Sequence, residues 1–136
     1  MSLIHEELTY EIRGILFKIQ NTFGRGLKEK QYSDLVEACL KKREIPYLRE
    51  YAITINFEGL DIRGNVVDFL IDDRIILEIK AKNRVMKEDY WQLKRYLIAA
   101  KLKLGILVNL RSKRIEPQRI INKSGLLRLD PHPHPH

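Results

Sequence analysis

The sequence of 136 residues contains one cysteine, Cys39, so no disulfide can form within the chain. A lone thiol is typical of a reducing compartment, and the apolar neighbours of Cys39 predict a buried side chain rather than a nucleophile. The chain also lacks an apolar run of the roughly 18 residues that a membrane span needs. Its first residues lack the apolar core of a signal peptide. From these absences we expect a cytoplasmic protein with no membrane contact.

The basic residues are distributed unevenly along the chain. Residues 1–81 carry 12 Lys/Arg and 14 Asp/Glu, a net charge of −2, whereas residues 82–128 carry 13 Lys/Arg and 3 Asp/Glu, a net charge of +10. Such a basic segment favours a polyanionic partner such as nucleic acid. The alternative is a solvated basic surface without a partner.

The spacing of apolar residues predicts one mixed α/β domain over residues 1–130, in the order α-α-β-β-β-α-β-β. Helices are predicted over residues 3–22, 27–43 and 87–101, and strands over residues 51–57, 66–71, 75–81, 104–110 and 114–121. Residues 58–64, which include two glycines, are predicted to form a turn region. The alternating Pro/His tail, residues 131–136, is predicted to be extended and disordered because proline prevents helix and sheet pairing.

Two predicted strands carry charged residues where a core would favour apolar ones. Asp68 interrupts one apolar strand, and Glu78 and Lys80 project from the same face of the next. If Asp72–Arg74 form a three-residue loop, Asp68 lies opposite Glu78, with the two Cβ atoms about 5 Å apart. A two-residue loop would instead turn Asp68 to the other face of the sheet.

Two carboxylates at this separation repel each other, and a divalent cation would relieve the repulsion. Oxygen ligands favour Mg²⁺ or Mn²⁺, and the backbone carbonyl of Ile79 could supply a further ligand. Lys80 beside a metal-bound water could orient or deprotonate that water, or stabilise a phosphate in hydrolysis. The alternative is a buried salt bridge among Asp68, Glu78 and Lys80, which the spacing favours equally.

Three patterns in this order resemble motifs of a known nuclease superfamily. They are G-x-x-E-x-x-Y at residues 26–32, Asp followed by Glu-x-Lys at residues 68–80, and Q-x-x-x-Y at residues 92–96. The second resembles motifs II and III of the PD-(D/E)XK nuclease superfamily, although Val67 replaces the proline of its name. The third is similar to the helix motif of RecB-like nucleases. The first resembles the signature of the GxxExxY proteins, a group assigned to that superfamily. The resemblance covers residues 5–122.

The resemblance implies a restriction-endonuclease-like core, with a mixed central sheet flanked by helices, and a nuclease that depends on Mg²⁺ or Mn²⁺. It implies metal binding by Asp68 and Glu78, with assistance to the water from Lys80. The further site residues that it implies are Glu29, Gln92 and Tyr96. Tyr32 on the same helix as Glu29 is interpreted as core packing.

Basic side chains beyond Lys80 are candidates for contact with a phosphate backbone, without base specificity. They are Lys82, Arg84, Lys87, Lys94, Arg95, Arg111, Lys113 and Arg114. Glu88 and Asp89 complement the dipole of their helix and need no further role. The expected partner is nucleic acid, with DNA favoured. The alternatives are a non-catalytic nucleic-acid-binding or protein-interaction module on the same fold, and a junction resolvase that acts as a homodimer.

Overall fold

The computed structural model describes residues 4–123, in which a five-stranded sheet lies between two helical layers. The helices are α1 (Glu6–Phe23), α2 (Glu29–Lys42) and α3 (Lys87–Ala100). The strands are β1 (Tyr47–Phe57), β2 (Leu60–Ile71), β3 (Ile75–Lys80), β4 (Leu104–Asn109) and β5 (Gln118–Ile121). The predicted order α-α-β-β-β-α-β-β and the mixed sheet are therefore confirmed. The Pro/His tail at residues 131–136 lies outside the described residues.

Neighbouring strands in the sheet follow the order of the chain, from β1 at one edge to β5 at the other. Only β3 and β4 are parallel, since α3 carries the chain back between them, and the other pairs are antiparallel. Both β3 and β4 are almost wholly buried, which agrees with their apolar sequences. None of the helices in residues 4–123 is long and apolar enough to cross a membrane.

The two faces of the sheet bury separate clusters of side chains. Helices α1 and α2 cover one face, where Leu16 and Tyr32 are fully buried against β2, β3 and β4. Helix α3 covers the other face through Leu93 and Leu97. Gly105 of β4 allows this close approach, because a Cβ atom there would lie 3.0 Å from the Leu93 side chain.

The hairpin formed by β1 and β2 is longer than the sequence predicts. Its turn contains only Glu58 and Gly59, both with positive φ (50° and 88°), so the prediction of a turn over residues 58–64 was wrong. Gly64, with φ of 93°, lies within β2, where the register with β1 shifts between Ile53 and Ile55. A glycine with positive φ can serve a bulge within a strand as well as a turn.

The edge strand β5 is shorter than predicted. It begins at Gln118 rather than at residue 114. Pro117, directly before it, has no amide hydrogen to donate to the ladder. The residues between β4 and β5 form an irregular segment, in which Arg111 contacts Arg25 and Leu27 of the loop before α2.

Strand β2 changes face at Asp68. Phe69 packs in the cluster beneath α1 and α2, but Val67, two residues earlier, packs in the cluster beneath α3. The partner strand is irregular at the same level, since Glu50 lies between the paired residues Arg49 and Tyr51 and has a positive φ of 53°. The alternation of a flat strand is thus broken where the predicted site begins.

Candidate metal centre

The turn between β2 and β3 sets the position of the two carboxylates. It consists of Asp72–Arg74, and both of its aspartates have positive φ (51° and 55°), which Asp tolerates better than most residues. Phe69 pairs with Leu77, which brings Asp68 opposite Glu78 one step further along. The prediction of a three-residue turn is confirmed, and the strand pairing has the predicted register as far as Phe69 and Leu77.

Beyond Phe69 and Leu77, the backbone amides of β2 and β3 donate to the carboxylates of Asp68 and Glu78 instead of to backbone carbonyls. The Asp68 amide donates to Oε1 of Glu78 at 2.7 Å, and the Ile79 amide donates to Oδ2 of Asp68 at 2.6 Å. Each side chain is therefore held across the strand pair by one oxygen. The second oxygen of each carboxylate remains available to a cation.

The electrostatic surroundings of this pair fit a cation. Burial, together with the charge of Asp68, raises the pKa of Glu78 to about 7, and its side chain is only 8% exposed. Burial also raises the pKa of Asp68, and the charge of Glu29 adds to that effect. Ionisation of both carboxyls is therefore unfavourable unless a positive charge lies close to them. Buried carboxylate oxygens are ligands that a hard divalent cation favours.

Lys80 lies beside this pair without closing a hydrogen bond to it. Its Nζ atom is 3.8 Å from Oε2 of Glu78 and 3.8 Å from Oδ1 of Asp89 in α3. The other oxygen of Asp89 contacts Nζ of Lys82 at 2.5 Å and accepts the Met86 amide at 2.8 Å. Burial alone would raise the pKa of Asp89, but the bonds from Lys82 and Met86 lower it. The structure therefore adds Asp89 to the residues around Lys80.

Sequence reasoning missed this role because Asp89 was interpreted only as a charge at the start of a helix. A signal was present, since Asp89, Gln92 and Tyr96 are spaced to share one face of α3. Tyr96 is 7% exposed, and burial together with the charge of Glu78 raises the pKa of its hydroxyl. Gln92, half-buried, lies one turn before it. Asp89 and Tyr96 thus lie near residues of β3, and the spacing of Gln92 puts it on the same face of the helix.

Asn109, the last residue of β4, fixes the backbone of the segment that follows β3. Its amide group donates to the Lys82 carbonyl at 2.7 Å, and its oxygen accepts the amides of Lys82 at 3.1 Å and Arg111 at 3.2 Å. The Leu110 amide also donates to the Lys80 carbonyl at 2.9 Å. The sequence signal for Asn109 was a polar residue at the end of an apolar strand.

Glu29, the first residue of α2, lies on the opposite side of the pair from α3. It lines a cavity of about 250 Å³ together with Lys30, Ser33, Arg49, Glu50 and Asp68. Its charge raises the pKa of both Asp68 and Glu78. Within residues 4–123, however, no three His, Cys, Asp or Glu side chains are grouped closely enough to hold a metal ion by themselves. Glu29 is therefore near the pair without joining it.

Tyr32 explains the position of Glu29. The tyrosine is fully buried, as the interpretation of core packing requires. Its hydroxyl donates to the Gly24 carbonyl at 2.6 Å and accepts the Leu27 amide at 3.3 Å. This side chain therefore secures the loop that leads into α2, and with it the point at which Glu29 begins the helix.

The matches to known proteins agree with this geometry. Residues 6–120 match the sequence profile of the PD-(D/E)XK nuclease superfamily. The chain belongs to this superfamily. The crystal structure of SSO0001 has a similar fold, with a TM-score of 0.53 and 26% identity over 68% of this chain. The match covers 50% of SSO0001, so this chain spans about half of that protein. No curated protein matches the chain.

Membership supports nuclease activity in general terms. PD-(D/E)XK proteins typically hydrolyse phosphodiester bonds and generally use divalent metal ions. In this member of the superfamily, the residues that could hold such an ion are Asp68 and Glu78. Lys80 lies beside them, and Glu29, Asp89 and Tyr96 surround them.

The basic residues predicted to contact nucleic acid differ in their exposure and in their contacts within this PD-(D/E)XK domain. Two have partners within the protein, because Lys82 contacts Asp89 and the guanidinium of Arg111 donates to the Leu27 carbonyl at 3.3 Å. Lys94 is half-buried on α3. The exposed members are Arg84, Lys87, Arg95, Lys113 and Arg114.

Proposed function

We propose that this protein is an endonuclease that depends on Mg²⁺ or Mn²⁺ and hydrolyses phosphodiester bonds of nucleic acid, with DNA favoured over RNA. The observation that supports the proposal is the pair of buried carboxylates, Asp68 and Glu78, each bonded to the amide backbone of the opposite strand. Burial, more than any other cause, raises the pKa of both groups, so their ionised forms are stable only beside a counter-charge. A divalent cation would supply that counter-charge.

In this proposal Asp68 and Glu78 hold the metal, and the carbonyl of Ile79 adds a ligand. When bound, the metal would acidify a water and offset the charge of the phosphate. Lys80 carries its ammonium next to the pair, where it stabilises negative charge on the phosphate or orients the water. Gln92 and Tyr96 line the cleft from α3.

The finer assignment to the GxxExxY proteins is part of the same proposal. It is supported by the hydrogen bonds of the Tyr32 hydroxyl to the loop before Glu29. Through these bonds the tyrosine of the pattern helps to position its glutamate. Glu29 would act on the metal site through its charge or through a water. We also propose that residues 1–130 form one nuclease domain, whose exposed basic residues bind the phosphate backbone without base specificity.

The test is cleavage of supercoiled plasmid and of single-stranded DNA and RNA, with Mg²⁺ or Mn²⁺, by the wild type and by Asp68→Ala. The matched control is Asp61→Ala, which removes an exposed aspartate from the same strand. We expect cleavage by the wild type and the control but not by Asp68→Ala. Equal cleavage by all three would contradict the proposal. Salt-sensitive binding without cleavage in any metal would favour a non-catalytic binding module.

A further inference from the structure

We propose that Asp89 is a positioning residue for Lys80, and that it keeps the lysine ammonium from closing onto the free carboxylate oxygen of Glu78. The inference rests on the proposed nuclease function, because it assigns a role within the same site. It concerns four charged side chains: Glu78, Lys80, Lys82 and Asp89.

The carboxylate of Asp89 has a fixed orientation. It is 11% exposed, and its Oδ2 atom is bound both by the Met86 amide at 2.8 Å and by Nζ of Lys82 at 2.5 Å. Two contacts on one oxygen leave Oδ1 directed at Nζ of Lys80, 3.8 Å away. The negative charge that faces Lys80 is therefore set in place by α3 and by Lys82.

The backbone on the other side of this contact is equally restrained. The Lys80 carbonyl accepts the Leu110 amide at 2.9 Å, and Asn109 bonds both backbone groups of Lys82. What remains free is the four-carbon stem of Lys80, which is flexible. The place of its ammonium must then depend on the anions around it.

Two anions flank that ammonium at equal distance, Oε2 of Glu78 and Oδ1 of Asp89, each at 3.8 Å. With one of them removed, the ammonium is drawn to the other, because an ion pair is stronger at contact distance in a poorly solvated site. Loss of the Asp89 charge would therefore bring Lys80 onto Oε2 of Glu78, the oxygen that the proposed function needs for the metal. Asp89 thus keeps Oε2 of Glu78 available to the metal and the Lys80 ammonium available to the phosphate or the water.

Asp89 could act only as a cap of α3, and suitable variants distinguish that role from the positioning of Lys80. Asp89→Asn retains an oxygen that can accept the Met86 amide, so it keeps the cap while it removes the charge. Glu88, the preceding residue, is exposed and also contributes a negative charge to the first turn of α3. Glu88→Gln therefore makes the same change in charge and in helix dipole without touching Lys80, and is the matched control.

The experiment compares the full-length wild type, Asp89→Asn, Asp89→Glu and Glu88→Gln. The first readout is ¹⁵N relaxation of the Lys80 ammonium in the metal-free protein at pH 8, where Glu78 is ionised. The second is the steady-state rate of plasmid cleavage with Mn²⁺. For Asp89→Asn we expect a changed ammonium signal and a fall in kcat of about 10- to 100-fold, the usual effect of losing a group that supports a metal-site residue, with KM within about twofold. We expect Glu88→Gln to match the wild type and Asp89→Glu to recover part of the loss.

The inference is overturned if Asp89→Asn leaves the Lys80 signal unchanged, or if Glu88→Gln reproduces its effects. Failure of the proposed function looks different. A wild type that cleaves nothing, while the Lys80 signal still responds to Asp89→Asn but not to Glu88→Gln, supports the positioning role and counts against the nuclease. A wild type that cleaves as fast as Asp89→Asn, with an unchanged Lys80 signal, supports the nuclease and removes the role of Asp89.

Discussion

Glu78→Gln is expected to stabilise the metal-free protein at neutral and alkaline pH. The wild-type carboxyl has a pKa of about 7 in the folded protein, against 4.5 for an ordinary glutamate. Each unit of pKa difference corresponds to about 1.4 kcal/mol. The ionised Glu78 side chain therefore costs the folded state up to about 3 kcal/mol, a large fraction of the stability of a small domain.

The sign of the pH dependence follows from the same values. Between pH 4.5 and about 7 the folded protein binds a proton at Glu78 that the unfolded chain has released. The contribution of this group to the free energy of unfolding therefore falls as the pH rises through that window, and the full cost is present above pH 7. A glutamine has no proton to lose, and its oxygen can still accept the Asp68 amide.

The assay is urea denaturation in EDTA at pH 4, 5, 6, 7 and 8, for the wild type and Glu78→Gln. Most other titrating groups are common to both proteins, so the difference between the two unfolding free energies reports on Glu78 and its interaction with Asp68. We expect this difference to grow in favour of the variant up to pH 8. Glu88→Gln, which removes an exposed carboxylate, should show no such trend. A difference that does not change with pH would refute the reasoning.

Further predictions concern metal, the loop before α2 and the basic surface. At 100 times its dissociation constant, Mn²⁺ should stabilise the wild type by about 3 kcal/mol in thermal melts, but not Asp68→Asn; equal stabilisation of both would contradict the metal site. Tyr32→Phe should lose about 1–3 kcal/mol in urea denaturation with its two hydroxyl bonds, whereas Tyr10→Phe, which alters a side chain 76% exposed, should lose nothing. Glu substitutions at Lys94 and Arg95 should weaken DNA binding and lower its salt slope by about one for each contact removed, and an unchanged slope would exclude them from the interface.

Much of the architecture could be predicted from the sequence because it depends on local periodicity. Apolar spacing places the three helices within a few residues of their observed bounds, and the alternating and apolar runs locate the five strands. The errors lie at positions where the local sequence is compatible with both a turn and a strand. A glycine such as Gly64 is common in turns, so the sequence predicts a turn there. In the structure β2 continues past Gly64, because the residues on both sides of it pair with β1. Tertiary pairing decided that case.

In the candidate site, too, some features follow from local sequence spacing and others depend on contacts between distant elements. The positions of Glu78 and Lys80 on one strand face, and of Asp68 opposite Glu78, follow from a two-residue period and the length of one turn. The contacts of Asp89, Lys82 and Arg111 do not, because they join residues of different elements. No local pattern states whether a lysine faces solvent or a carboxylate of a neighbouring helix.

The sequence by itself determined the order of elements, the register of the β2–β3 turn and the family motifs, since each depends on spacing along the chain. Only the tertiary structure decided that β2 changes face at Asp68 and that Glu29 approaches the carboxylate pair from α2. It also decided that Lys80 is shared between Glu78 and Asp89. These features depend on how helices from distant parts of the chain pack on the two faces of the sheet, and burial in that packing raises the pKa of Glu78.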